Sequence, residues 1–179
     1  MNVGLIGTGA ISHKHAESYR EIGYRLVAVN DIFPEVGKKF AEKWGAEFVA
    51  DYRDLCRRPD IDYIDVCTYP NFRLQAVEAC AAAGKHVLVQ KPIATTLETA
   101  RKMIEAARAA GVTLGVVSQH RFDPGCMFLH KAIGEGRLGK LLEADCYVKW
   151  HRSQAYYDKP GKGGWEIEGG GALINQAIH

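Results

Sequence analysis

The chain has 179 residues, 47% hydrophobic and 25% charged, with a net charge of +2. Lysines and arginines are interspersed with acids, which excludes a basic footprint for nucleic acid or anionic membrane, and the longest apolar runs are strand-sized, short of the roughly 20 residues a membrane helix needs. The N-terminus enters a strand at once, leaving no room for a signal peptide, and Cys56, Cys67, Cys80, Cys126 and Cys146 are widely spaced with no C-x-x-C pair, so the sequence predicts a cytoplasmic protein with reduced, packing cysteines.

The first element is a strand, Val3 to Ile6, running into Gly7-Thr8-Gly9-Ala10-Ile11-Ser12 and a helix from His13 to Tyr19. This is the shape of a dinucleotide-binding βα turn: Gly7 permits the tight turn, Gly9 lets backbone approach a pyrophosphate, and the helix N-terminus faces that charge. Leu26 to Asn30 makes a second strand, and Asp31 stands 31 − 9 = 22 residues after Gly9, the place of an acid that receives ribose hydroxyls. The plainer alternative has Asp31 starting the turn at Phe33-Pro34. Asp31 repels a 2′-phosphate, and Ile32 and Phe33 offer no guanidinium to receive one, so NAD is expected in preference to NADP.

Further along, Glu35 to Trp44 is a helix ended by Gly45, Glu47 to Val49 a short strand, and Tyr52 to Arg57 a brief helix stopped by Pro59. Tyr63 to Cys67 and His86 to Val89 are apolar strands separated by an alanine-rich helix, Asn71 to Ala83. A helix from Leu97 to Ala110 and a strand from Val112 to Ser118 complete the series. Such alternation with short connections specifies a Rossmann-type doubly wound parallel sheet of right-handed βαβ units. After about Phe122 the rhythm changes. Pro124 to Glu135 reads as a helix. Leu141 to His151 alternates apolar and polar residues, as a strand with one covered face would, and Ala172 to His179 reads as the start of a helix. The division expected is a dinucleotide domain over 1–121 and the first elements of an incomplete α+β second domain over 122–179.

Two adjacent residues carry the chemistry. Lys91 follows directly on the fifth strand, and Pro92, without an amide hydrogen, stops the ladder there. Ligands of open α/β sheets bind at such C-terminal strand ends, where an ammonium can hold a hydroxyl and exchange its proton while a hydride moves to nicotinamide. A surface lysine ending a strand is the plainer alternative. Metal binding is not expected: His13 and His15 are two apart and cannot share a helix face, and no H-E-x-x-H occurs.

Three separated motifs in one order resemble the Gfo/Idh/MocA (glucose-fructose oxidoreductase and inositol dehydrogenase) family: Gly7 to Ser12 followed by His15; Ala83-Gly84-Lys85-His86-Val87 with Gln90-Lys91-Pro92; and Gly169-Gly170-Gly171-Ala172-Leu173 with His179. The resemblance implies NAD as cofactor and a sugar, polyol or nucleotide-sugar as substrate. It further implies homo-oligomeric assembly through a complete second domain. Lys91 and His179 would be the reactive pair, Asp31 the ribose acceptor, and Thr68-Tyr69-Pro70-Asn71 the loop over the cofactor. Gln119 is expected beside the cofactor, and Arg121 and Asn175 beside the substrate. The chain departs from the family pattern in four places: Gln90 replaces a more frequent Glu, Asn175 a frequent Asp, Leu74 a frequent His, and Lys162, ahead of Trp165, a frequent Arg. Because Gln90 and Asn175 each lack a carboxylate, a non-catalytic regulatory protein that binds dinucleotide and sugar stands as the alternative to an enzyme. The 179-residue chain alone is expected to be inactive.

Overall fold

A computed structural model describes residues 1–179. Strands β1 (Asn2–Ile6), β2 (Arg25–Asn30), β3 (Glu47–Phe48), β4 (Tyr63–Val66), β5 (His86–Val89) and β6 (Leu114–Val116) alternate with helices α1 (Ala10–Glu21), α2 (Pro34–Trp44), α3 (Tyr52–Arg57), α4 (Arg73–Ala82) and α5 (Leu97–Ala109). Local chemistry sets several of these boundaries. Pro34 opens α2 where its missing amide hydrogen costs nothing, and Gly45 closes it in the left-handed region with φ 69°. The Asp51 carboxylate caps α3 by accepting from the Arg53 amide at 2.8 Å, and the Thr96 hydroxyl caps α5 by accepting from the Thr99 amide at 3.1 Å.

All strand pairs are parallel, and the sheet order is β3-β2-β1-β4-β5-β6. Chain direction across the sheet therefore reverses between β1 and β4, where neighbouring connections diverge and leave a crevice at the C-terminal strand ends. Buried side chains cover both faces. Val3, Leu5, Leu26 and Val29 pack against Ala16 and Tyr19 of α1 and Phe40 of α2. On the opposite face Ile64, Val66, Val87 and Val89 pack against Leu55 of α3, Val77 of α4 and Met103 of α5. Removing this apolar surface from water is what holds the layers together. The doubly wound sheet expected from the alternation is thus the observed one.

The second half differs from expectation. Helix α6 (Pro124–Gly134) forms, followed after a long stretch without regular structure by three single-turn helices, α7 (Gln154–Tyr157), α8 (Trp165–Glu168) and α9 (Ala172–Asn175). Residues 141–151 alternate as a strand would, yet they pair with nothing and form none. A strand exists only as part of a ladder, and no neighbouring segment offers one. The helix expected over 172–179 stops at Asn175. No helix is long and apolar enough to cross a membrane.

Candidate functional site at the C-terminal strand ends

The turn after β1 is shaped by a close approach. Gly7 has φ 91°, its amide donates to the Asn30 carbonyl at 2.8 Å, and a Cβ there would lie 3.0 Å from the Thr68 amide nitrogen at the end of β4. Gly9, by contrast, faces open space and is the N-cap of α1 with no side-chain cap. Free amides of Ala10 and Ile11 at a helix N-terminus beside open space make a place for an anion. Ser12, fully buried, donates its hydroxyl to the Gly7 carbonyl at 2.5 Å and so ties helix to turn.

Asp31, at the end of β2, is bound to the same turn. Its Oδ2 accepts from both the amide and the hydroxyl of Thr8 at 2.7 Å, and its Oδ1 accepts from the Phe33 amide at 2.9 Å. One carboxylate oxygen thus starts the turn at Phe33-Pro34, as the plainer reading of Asp31 expects, while the other ties the end of β2 to the glycine loop.

Across the crevice, Thr68 to Asn71 passes over the ends of β1 and β4. Two buried side-chain oxygens of this loop, Thr68 Oγ1 and Asn71 Oδ1, have no hydrogen-bond partner. Buried polar atoms left unpaired are costly, and a polar ligand relieves that cost. Together with the open space at Gly9, they fit a dinucleotide. The loop is held by Arg73, which sequence reasoning did not single out. Arg73 is 3% exposed, and its guanidinium donates to the Thr68 carbonyl at 2.6 and 3.0 Å and to the carbonyls of Gln90 and Pro92. Burial lowers its pKa to about 10. This one side chain fastens the loop after β4 to the segment after β5.

A second unforeseen network lies beneath Gln90. Asp65 of β4 is fully buried and accepts from Tyr19 Oη at 2.5 Å and from His15 Nδ1 at 2.6 Å; His15 Nε2 lies 2.6 Å from Gln90 Nε2. An amide nitrogen only donates, so His15 Nε2 accepts and the ring proton sits on Nδ1, facing Asp65. Gln90 Oε1 is left to accept from the Lys91 amide at 3.2 Å. His15, Asp65 and Cys67 come close enough to suggest a metal triad. Burial, however, raises the Cys67 thiol well above its ordinary pKa and so keeps it protonated, and the His15–Asp65 hydrogen bond occupies the other two groups.

Lys91 stands at the lip, half-buried, in a cis peptide bond with Pro92. Its Nζ donates to the Asn175 carbonyl at 2.5 Å and to Asn175 Oδ1 at 3.0 Å. Burial is the main cause that lowers its pKa to about 8, and the charge of Lys162 lowers it further. His179 is reached through a different contact: Gln119 Nε2 lies 2.7 Å from its Nδ1, which therefore accepts and leaves the proton on Nε2. Burial first, then the charge of Lys91, lowers the His179 pKa to about 4, so the ring is neutral at neutral pH. Lys91 and His179 share no hydrogen bond; Lys91 meets Asn175, four residues before His179, and its charge acts on the His179 ring. Arg121 is exposed, its side chain has no partner, and it is not drawn into this group.

Residues 1–118 match the family described as "Oxidoreductase family, NAD-binding Rossmann fold" (GFO_IDH_MocA). The chain belongs to that family. Among its relatives, 1,5-anhydro-D-fructose reductase of Ensifer adhaerens is 34% identical over 98% of this chain and 53% of its own length. Inositol 2-dehydrogenase of Pseudomonas savastanoi pv. phaseolicola is 37% identical over 82% of this chain and 45% of its own. Among solved structures, the WlbA dehydrogenase of Bordetella pertussis, in complex with NADH and UDP-GlcNAcA, superposes with a TM-score of 0.90 at 33% identity. That match covers 99% of this chain and 52% of the other. The chain thus spans about half the length of the curated relatives it matches. In this family member the glycine turn, Asp31 and the Thr68–Asn71 loop lie within the matched residues, whereas Asn175 and His179 lie beyond them.

Proposed function

We propose that this chain carries the cofactor site and the reactive lysine of an NAD(H)-dependent oxidoreductase acting on a hydroxyl-bearing carbon of a sugar, polyol or nucleotide-sugar. The single observation that carries the reading is the state of Lys91: half-buried at a C-terminal strand end, with its pKa lowered to about 8. A group that titrates near working pH is suited to taking and returning a proton. In its neutral form the amine has two N–H bonds, both taken by the oxygens of Asn175, and its lone pair remains to accept the proton of a substrate hydroxyl.

NAD, when bound, supplies the hydride acceptor. The chain's own residues do the rest. Amides at the start of α1 and the Thr68–Asn71 loop hold the cofactor, Asp31 receives ribose hydroxyls and disfavours a 2′-phosphate, and Gln90 is fixed beside Lys91 by His15. His179, neutral and protonated on Nε2, donates to the substrate oxygen. Gln119 orients that ring.

The two carboxylates absent relative to the usual family pattern do not by themselves make a lapsed enzyme. Glu at position 90 or Asp at 175 would put a negative charge beside Lys91 and hold its proton on. Gln90 and Asn175 keep the hydrogen bonds without that charge. The relatives described above are dehydrogenases and reductases, which likewise favours turnover over a purely regulatory role. We place the boundary between the dinucleotide unit and the second unit at residues 121 and 122, and expect homo-oligomeric assembly.

The test is the absorbance of reduced nicotinamide with NAD and a panel of myo-inositol, free hexoses and hexuronates, and UDP-linked sugars. Reduction with at least one member supports the reading. NAD binding with no reduction across the panel, in a protein that also carries a second domain of its relatives' length, would favour the regulatory alternative.

A further inference from the structure

The basin in front of Lys91 holds more positive charge than the proposed reaction requires. Lys162 and Arg152 face it from the returning segment, and both act on Lys91 electrostatically. Lys162 Nζ lies 5.2 Å from the centre of the Tyr69 ring and 5.4 Å from that of Tyr156, and the Arg152 guanidinium carbon lies 5.6 Å from the Tyr156 ring and 5.7 Å from that of Trp150. Trp150 in turn stands 5.5 Å from His179. Two cations are thus braced on aromatic faces around the proposed reactive pair.

Their charges are poorly matched. Glu168, buried, pairs with Lys162 at 2.7 Å and accepts from the Gly163 amide at 2.8 Å. The Lys91 side chain has only the neutral oxygens of Asn175, and the Arg152 side chain donates only to the carbonyl of His151. While Lys91 is protonated, these three cations against the Glu168 carboxylate leave 3 − 1 = 2 positive charges at this end of the crevice, and with Lys91 neutral the charge of Arg152 remains. The anion-ready amides of α1 and the glycine turn are a separate feature, so the cofactor's pyrophosphate does not account for these side chains. A cluster of cations with fewer acids than bases is what recognises an anion.

We propose that the substrate is an anionic sugar, with its carboxylate or phosphate seated between Arg152 and Lys162 while a ring hydroxyl meets Lys91. The inference rests on the oxidoreductase reading for the role of Lys91, and on the charge count for the anion. Arg152 is a substrate-binding residue in this account, and Lys162 is both that and the partner that keeps Glu168 satisfied. Tyr69, Tyr156 and Trp150 supply flat apolar surface for the sugar ring between them.

Equilibrium titration of the NADH-saturated chain with glucose, galactose and mannose, their uronates and their 6-phosphates separates the two sources of the anion. The uronate or the 6-phosphate of at least one hexose is expected to bind about tenfold or more tightly than the neutral parent, since a charge-assisted contact contributes about 1.5–3 kcal/mol. Arg152→Met is the decisive variant, because Arg152 is exposed and hydrogen-bonds to no other side chain, whereas Lys162→Met strands buried Glu168 and risks the fold. In Arg152→Met the preference for the anion should fall by about tenfold. Equal or tighter binding of the neutral sugars, an anion preference undiminished in Arg152→Met, or no binding of any probe overturns the proposal. Reduction of nicotinamide measured on the same panel separates the two claims. In a protein that also carries a second domain of its relatives' length, an anion preference without reduction keeps the anion site and sinks the oxidoreductase reading; reduction without an anion preference does the reverse.

Discussion

The two halves of this chain have similar helical signals and opposite fates. In residues 1–118 each strand has a partner and each apolar face a cover, and Val3, Leu5, Ile64, Val89 and Met103 are completely buried. Beyond Phe122 only Ala132, Glu168 and Gly170 are buried, while Leu142 is 86% and Tyr147 75% exposed. The difference lies in partners rather than propensity. A βαβ unit brings its next strand within a few residues of chain, and an amphipathic strand without a neighbour keeps its apolar face wet. What the second half does contribute comes from its return over the crevice, where Asn175, His179, Lys162 and Glu168 meet the strand ends.

Substitutions on either side sharpen that contrast. Leu5→Ala opens a cavity in a packed layer and should lower unfolding free energy by about 2–5 kcal/mol, whereas Leu142→Ala should change it by less than about 0.5 kcal/mol. Urea denaturation midpoints with unchanged slopes would measure both, and comparable losses at the two sites would break the comparison. Lys91→Met should cost about 10² or more in hydride transfer while leaving NADH affinity nearly intact, because the chemistry sits at the lip and the cofactor contacts sit on the Rossmann half. Rate and affinity falling together would show that the two are not separable. The smallest effect concerns cofactor choice. The Asp31 carboxylate faces the glycine turn, so Asp31→Asn should narrow the preference for NAD over NADP by about tenfold, read from paired titrations.

How much of this was legible in the sequence follows from which interactions are local. The sheet, its helices and the lip position of Lys91 were readable because period, caps and a strand-stopping proline are written in neighbouring residues. The position of Asp31 beside the glycine turn was readable because the βαβ unit fixes its distance from Gly9. The buried network of Tyr19, Asp65, His15 and Gln90 was not, since it joins residues up to 75 positions apart. Arg73 was hidden for the same reason: it sits among alanines on a helix, and only the fold puts the carbonyls of residues 68, 90 and 92 around it. One faint signal existed in each case. An acid in the middle of an apolar parallel strand, and an arginine opening an alanine-rich helix, are both out of place unless something satisfies them. The strand expected over 141–151 failed in the opposite way, because its pattern is local but its formation depends on a partner.

The central claim, that Lys91 moves the proton, is tested most directly by the pH dependence of kcat/KM. Burial lowers the Lys91 pKa from its ordinary value to about 8. As a general base it must be neutral, so oxidation of substrate should rise as pH approaches 8 and level off above it; reduction, which needs the ammonium, should fall through the same range. Opposite slopes meeting near pH 8, both abolished in Lys91→Met, are the predicted result, and a profile that is flat there, or unchanged by the substitution, would contradict the account.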